Sequence, residues 1–261
     1  MCLLFFSYKK SPGFSLVLAA NRDEFLVRPT ASLGYLDNAR CILGGRDLQE
    51  GGTWLAIDRS LRFAALTNYR DPSSEKIDAV SRGEIIMKYL SGNMSSKEYI
   101  RYILREGKNY NGFNVLVGDQ KELYYYSNRG PEPILLEPGY YGMSNHLLDT
   151  AWPKISRGKK LLYPYMVETS QISPDRVFEV LSDRERPADS ELPDTGVGLE
   201  WERLLSSIFI ESAAYGTRSS ALLTIDDRRR LDFFEKTYLR QQAGIYSSIA
   251  HLHLAETEGP Q

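Results

Sequence analysis

Four pairs of short apolar runs, each joined by a turn, constrain the fold of this 261-residue chain more than any other feature. In each pair, a β-prone run is followed by a few turn-forming residues and a second β-prone run, the pattern of a hairpin. The predicted strand pairs are 2–8 with 14–20, 53–58 with 61–68, 113–118 with 122–127, and 217–225 with 231–236. Such tight connections predict antiparallel sheet.

Helix start and stop signals lie between and after the central strand pairs. Two Ser-x-x-Glu capping boxes, at Ser81 and Ser95, predict helices that end at Gly92 and Gly107. Further helices are predicted over 152–163, from Ser173 onwards and over 199–209. Proline and glycine residues in 184–198 predict a long loop. One hypothesis for this loop is a lid over the site.

This order of elements predicts an α+β fold. Strands, helices, strands, helices and strands follow one another, which suggests sheets packed on each other with helices outside. We expect one domain over 1–255, a weakly patterned tail after Gln241 and disorder over 256–261.

Composition narrows the functional classes. The chain is 42% hydrophobic and 25% charged, with a formal net charge of −2, so neither nucleic acid nor an anionic membrane is expected as its main partner. No apolar stretch is long enough to span a bilayer, and no signal peptide is visible. Two cysteines without metal-finger spacing fit a reducing compartment, so we expect a cytoplasmic protein.

Cys2 stands directly after Met1, a residue that methionine aminopeptidase removes readily when the next side chain is small. A processed Cys2 carries a thiol and a free α-amine, which makes it a nucleophile and a base in one residue. The predicted register of the first hairpin sets Cys2 opposite Ala20, with the run 21–24 (NRDE) just beyond the strand end. The alternative is a small buried apolar residue, the commonest role of a free cysteine.

Arg22 and Asp23 are the next candidates. Arg22 would lower the thiol pKa and hold a carboxylate or phosphate, while Asp23 would hold an α-ammonium or orient a base. Alternatively, Arg22 and Asp23 belong to a solvated turn that ends the strand. Glu24 is interpreted as a surface charge without a further role. Because adjacent strand residues point to opposite faces, both Arg22 and Asp23 reach Cys2 only if the chain bends at this run.

Several later polar residues admit two interpretations each. Asn68 and Asn145 are either turn-forming residues or amide donors for an oxyanion. Arg218 is either a surface arginine or a second cation of the site. His251 and His253 are either ligands for a metal or haem iron or surface residues; the second role is favoured, and no metal site is predicted.

The chain resembles the NRDE family, also called the transport and Golgi organisation protein 2 family, through six ordered segments. These are MCLLFF at 1–6, NRDE at 21–24, GGTWLAID at 51–58, ALTNYRDP at 65–72, YGMSNHLLDTAWPK at 141–154 and YGTRSSALLTID at 215–226. The resemblance implies the N-terminal-nucleophile hydrolase fold, a four-layer αββα sandwich of two mainly antiparallel sheets. It also implies kinship to choloylglycine hydrolase-like enzymes, whose sites combine a processed cysteine with an Arg, an Asp and two Asn residues.

Transferred to this sequence, those catalytic roles fall on a small set of residues. They are Cys2, Arg22, Asp23, Asn68, Asn145 and Arg218. In the related hydrolases the Arg and Asp are separated within an Arg-Asn-x-Asp pattern, whereas Arg22 and Asp23 are adjacent here.

The resemblance also implies haem trafficking or a role in acyl-CoA and lipid metabolism. Our leading hypothesis is a cytoplasmic haem-handling or acyl-CoA-binding protein with a ligand cleft at the Cys2 end of the sheets. The candidate pocket residues are Asn21, Arg22, Asp23, Glu24, Trp54, Tyr69 and Arg218, with Tyr215 as a further aromatic wall. No cofactor is required, and haem enters only as a ligand. The alternative is a cysteine amidohydrolase or acyltransferase; a purely structural protein is least favoured, and the oligomeric state is left open.

Overall fold

The computed structural model describes residues 2–39, 41–241 and 244–254, so the predicted tail at 256–261 lies outside the described residues. Within these ranges the chain forms thirteen strands and five α-helices. The strands are β1 (Cys2–Tyr8), β2 (Phe14–Phe25), β3 (Thr30–Tyr35), β4 (Ile42–Asp47), β5 (Leu55–Asp58), β6 (Phe63–Asn68), β7 (Phe113–Gly118), β8 (Leu123–Ser127), β9 (Ile134–Leu135), β10 (Gly139–Met143), β11 (Tyr215–Asp226), β12 (Leu231–Gln241) and β13 (Gly244–Leu254). The helices are α1 (Gly83–Ser91), α2 (Ser96–Glu106), α3 (Pro153–Glu168), α4 (Pro174–Leu181) and α5 (Leu199–Leu205).

The strands form two antiparallel sheets. One has the order β10-β1-β2-β11-β12-β13, and the other runs from β3 to β9 in sequence order. The four predicted hairpins are all present. Five strands, β3, β4, β9, β10 and β13, were not predicted. β13 also corrects the interpretation of the segment after Gln241 as weakly patterned.

Three apolar layers separate four structural layers. Leu4 and Leu18 of the first sheet pack against Leu116 of the second. The opposite face of the first sheet packs on α3 and α4, and α1 and α2 cover the second sheet. Every residue of β1 is buried because both of its faces are covered. The predicted αββα sandwich is therefore confirmed.

Helix caps agree with the sequence at some positions and not at others. The capping box of Ser95 and Glu98 is formed, and Ser173 caps α4 as predicted. The predicted box at Ser81 is not formed, because Arg82 is already helical and Glu84 pairs with Lys88 instead. α3 continues past the predicted end, through Pro164, and α5 ends before the predicted 209. No helix in the described ranges is long and apolar enough to cross a membrane.

The register of the first hairpin differs from the prediction by two residues. Tyr8 pairs with Leu16 rather than Phe14, so Cys2 lies opposite Arg22 rather than Ala20. The NRDE run is therefore part of β2 and does not follow the strand. A shift of two keeps every side chain on its predicted face, whereas a shift of one would have reversed them.

Gly158 allows α3 to pack closely on β1. A Cβ atom at this position would lie 2.0 Å from the ring of Phe5, which is fully buried. We expect Gly158→Ala to destabilise the fold by about 1–3 kcal/mol, because this overlap outweighs the better helix propensity of alanine. Urea unfolding measures the loss. Ser156→Ala, at an exposed position of the same helix, is the matched control, and equal stability of the two variants would contradict the prediction.

Candidate functional site

A cleft of about 280 Å³ opens between the two sheets at the end where β1 begins. Cys2, Arg22, Trp54, Asn68 and Arg82 are among the residues that line it. They come from both sheets and from the start of α1, so the packing of the layers brings together residues that are distant in sequence.

Cys2 and Arg22 face the cleft because they are directly opposite each other in the β1–β2 pair. Residues opposite each other in an antiparallel pair place their side chains on the same face. Burial raises the pKa of the Cys2 thiol, the nearby charges of Asp23 and Glu24 raise it further, and the guanidinium of Arg22 acts in the opposite direction. The thiol is therefore mainly neutral at pH 7, and a base must remove its proton before it can attack.

Arg22 is held rigidly, with only 5% of its surface exposed. Its guanidinium lies 4.2 Å from the ring centre of Trp54 and donates a hydrogen bond of 3.1 Å to Thr30 Oγ1. Asp47 lies 4.0 Å away and is shared with Arg28, whose Nη2 is 2.7 Å from the Asp47 carboxylate.

Trp54 can stack under Arg22 because a glycine lies behind it. A Cβ atom at Gly45 would lie 2.3 Å from the Trp54 ring. The paired glycines at 44–45 thus serve close packing at the cleft, in a segment without a nucleotide-binding fingerprint.

Asn68 and Asn145 are brought together but have different surroundings. Asn68 is one of the residues that line the cleft. Asn145 is 1% exposed, and its Nδ2 donates to the Asn68 carbonyl oxygen at 2.9 Å. Asn68 is therefore placed to contact a ligand, whereas Asn145 holds the backbone that carries Asn68.

Asn21 and Asp23 lie on the other face of β2, toward the helices. Asn21 Nδ2 donates to the carbonyl oxygens of Leu181 at 2.8 Å and Ile208 at 2.9 Å. Asp23 Oδ1 accepts a hydrogen bond of 2.7 Å from Thr217 Oγ1. The strand continues without the bend that the sequence analysis required, so Arg22 and Glu24 line the cleft while Asn21 and Asp23 lie behind it.

Arg218 occupies a β-bulge. Thr217 pairs with Asp23 and Ser219 pairs with Arg22, which leaves Arg218 as the extra residue. Its Nη1 donates to the carbonyl oxygens of Phe25 at 3.0 Å and Arg28 at 2.9 Å. Arg218 is not among the cleft-lining residues and instead ties down the turn that follows β2.

The two other predicted aromatic residues lie outside the cleft lining. The ring of Tyr69 is 5.0 Å from that of His146. Tyr215 is buried on the helix-facing side and contacts Phe25 and Trp201 edge to face. Of the predicted aromatic wall, Trp54 alone lines the cleft.

The loop 184–198 packs against the outer helices. Arg203 of α5 is 2.6 Å from Asp189, and Arg157 of α3 is 2.7 Å from Glu185. None of its residues is among those that line the cleft.

A buried charged cluster behind the first sheet was missed by the sequence analysis. Arg70 Nη1 lies 2.5 Å from Glu202 Oε2, and both side chains are 4% exposed. Lys154 is 3% exposed and donates to the Leu205 carbonyl oxygen at 3.0 Å. Arg70 and Lys154 belong to the segments ALTNYRDP and YGMSNHLLDTAWPK, which carry the family resemblance. A cation inside such a segment is the sequence signal that could have indicated this cluster.

Burial lowers the pKa of Lys154 to about 8, and the neighbouring charge of Arg70 contributes. The unfolded lysine has a pKa of about 10.4. Between about pH 8 and this value the unfolded chain binds more protons than the folded chain, so the free energy of unfolding rises with pH. We expect a gain of about 2–3 kcal/mol between pH 7 and 10 from this group, absent in Lys154→Met. Urea unfolding at both pH values measures it. Lys160→Met, at an exposed position of α3, should retain the gain, and an equal gain in Lys154→Met would contradict the prediction.

A four-layer αββα sandwich with a cysteine at the start of a central strand defines an N-terminal-nucleophile hydrolase-like fold. The same fold is found in the C2A mutant of conjugated bile acid hydrolase from Clostridium perfringens. The TM-score is 0.51 at 11% identity, over 97% of this chain and 96% of that one.

A family model described as Transport and Golgi organisation 2 matches residues 1–240, and the chain belongs to this family. The Transport and Golgi organization 2 homolog of Mus musculus is 36% identical over 92% of this chain and 94% of its own length. The Homo sapiens homolog is 34% identical over the same shares. The predicted family is therefore confirmed.

Proposed function

We propose that the cleft binds a small acyl compound, an amide or a thioester of the acyl-CoA type, and that Cys2 attacks its carbonyl carbon once Met1 has been removed. One observation carries this proposal: Cys2, Arg22 and Asn68 line the same cleft. A nucleophile, a cation and an amide donor are the groups that acyl transfer needs. A reducing cytoplasm suits the proposal, because Cys2 and Cys41 are both free thiols.

The proposed reaction has two steps. The α-amine of processed Cys2 takes the thiol proton, the sulfur forms a bond to the acyl carbon, and the bond to the amine or thiol leaving group breaks as that group receives the proton. Water then attacks the acyl-enzyme to release the acid, or a second acceptor takes the acyl group. The Asn68 amide donates to the oxyanion, and Arg22 stabilises negative charge beside the thiol.

Haem handling is a second proposal, supported by the arginines that would pair with propionates. The cleft volume of about 280 Å³ is at the lower end of ligand sites, and charged residues make up much of its lining. Both properties suit a compact polar group better than an apolar macrocycle. Haem titration of the wild type and Arg22→Ala tests this proposal, and equal or absent binding in both would contradict it.

The test of the acyl-transfer proposal uses purified protein whose intact mass confirms the loss of Met1. We expect incubation with short-chain acyl thioesters and amides to give an acyl adduct on the peptide that begins with Cys2, or turnover of the substrate. The control is the same protein with one alanine before Cys2, which should give neither because its α-amine has become an amide. Processed protein that reacts with no thioester and no amide would refute the proposal, and so would retention of Met1.

A further inference from the structure

Three arginines line the cleft, but only one is free of a nearby carboxylate among the residues that the structure describes. Arg28 pairs with Asp47, and Arg22 lies between Asp47 and the Trp54 ring. Arg82 donates from Nη1 to the Gly112 carbonyl oxygen at 3.1 Å, and no carboxylate oxygen of the described chain lies within 4.0 Å of it. Its charge is therefore not neutralised by a direct partner.

Arg82 is partly buried at the wall of the cleft. Burial lowers the pKa of its guanidinium, and the more distant charges of Glu75 and Glu24 oppose that effect. An arginine remains protonated at neutral pH even so. A half-buried guanidinium with unused donors that faces a cleft is suited to an anionic group, because charge-assisted hydrogen bonds to phosphate or carboxylate are strong.

The cleft is not uniformly positive, since Glu24 and Glu50 also line it. Glu24 Oε1 accepts from the backbone N–H of Phe25, and Glu50 is exposed. Their charges disfavour a ligand that is negative throughout. A ligand with a single anionic group gains most when that group lies against Arg82.

We propose that Arg82 forms an anion subsite of this cleft, and that the acyl compound carries a phosphate or carboxylate that binds there while its acyl carbon lies at Cys2. This inference rests on the proposed acyl-transfer function and adds the class of substrate. Arg82 then acts as a specificity-determining residue, and Cys2 and Asn68 carry out the chemistry.

The test compares three acyl donors: acyl-pantetheine, which is neutral, acyl-4′-phosphopantetheine, which adds only a phosphate, and an acyl thioester of 3-mercaptopropionate, which carries a carboxylate. We expect kcat/KM to favour an anionic donor over the neutral one by roughly 10- to 100-fold. The anionic donor that shows the preference identifies phosphate or carboxylate. Arg82→Gln should remove the preference, because the rate for the anionic donor falls to the range of the neutral one, and Arg82→Lys should keep part of it.

Two control variants separate charge at the site from charge elsewhere. Glu24→Gln should leave the preference intact or increase it, and Arg101→Gln, on the exposed face of α2, should leave it unchanged. Equal rates for neutral and anionic donors in the wild type, or an unchanged preference in Arg82→Gln, would overturn the subsite while leaving acyl transfer in place.

If no donor reacts, the acyl-transfer proposal fails, and the subsite is decided by binding. Calorimetric titration with 4′-phosphopantetheine and with inorganic phosphate should show binding to the wild type and at least tenfold weaker binding to Arg82→Gln. Absence of binding to the wild type, or equal binding to both proteins, would then overturn the subsite as well.

Discussion

Asn68→Ala is expected to slow the acylation of Cys2 by about 10²- to 10³-fold, the usual loss when one oxyanion donor is removed. Asn68 ends β6, lines the cleft with Cys2, and has its backbone held by the buried Asn145. The backbone that carries the amide is thus fixed before the substrate arrives, and a donor on a preorganised backbone stabilises developing negative charge more effectively.

Single-turnover acylation rates, followed by intact mass, measure this effect. Asn68→Asp should be at least as slow, because a carboxylate repels an oxyanion. Ser81→Ala removes the hydroxyl group of another cleft-lining residue and is the matched control, with a rate near that of the wild type. An Asn68→Ala rate within threefold of the control would show that Asn68 is not the oxyanion donor.

Glu202→Gln is expected to lower the free energy of unfolding by about 3–5 kcal/mol, because it leaves the buried charge of Arg70 without its partner. Glu202 Oε2 contacts Arg70 at 2.5 Å, and Oε1 accepts a hydrogen bond of 2.9 Å from the Thr195 backbone N–H. Arg70 also packs over the Trp152 ring at 4.8 Å, so its guanidinium cannot reach water without disrupting this packing.

Chemical denaturation measures the loss, and the same helix supplies the control. Glu200 forms an exposed pair with Arg203, so Glu200→Gln should cost less than about 1 kcal/mol. The double variant Arg70→Met with Glu202→Leu should recover most of the stability, since it removes both buried charges together. Equal stability of Glu202→Gln and Glu200→Gln would contradict the prediction.

Local signals in the sequence predicted the elements that local interactions form. The four hairpins and the caps at Ser95 and Ser173 depend on residues a few positions apart, and the structure contains all of them. The missed strands have weaker local signals. β4 contains two glycines, and β13 is an edge strand that pairs with β12 alone among the described strands.

The register of the first hairpin was predicted wrongly, by two residues. The length of the turn was misjudged by two residues, yet Cys2 stayed on its predicted face and now shares it with Arg22, because strand side chains alternate with a period of two. The same alternation placed Asp23 behind the sheet. Arg22 and Asp23 are adjacent in one strand and therefore lie on opposite faces of the sheet, although the family resemblance implies one site for both.

The sequence by itself determined the family and the candidate nucleophile through its ordered motifs, and the αββα class followed from the family resemblance. Only the tertiary structure decided which polar residues share the cleft. Arg70 and Glu202 meet across 132 positions, and Arg82 reaches the cleft from the start of a helix on the second sheet. Burial and charge pairing depend on how layers pack, and packing is a property of the whole chain rather than of any segment.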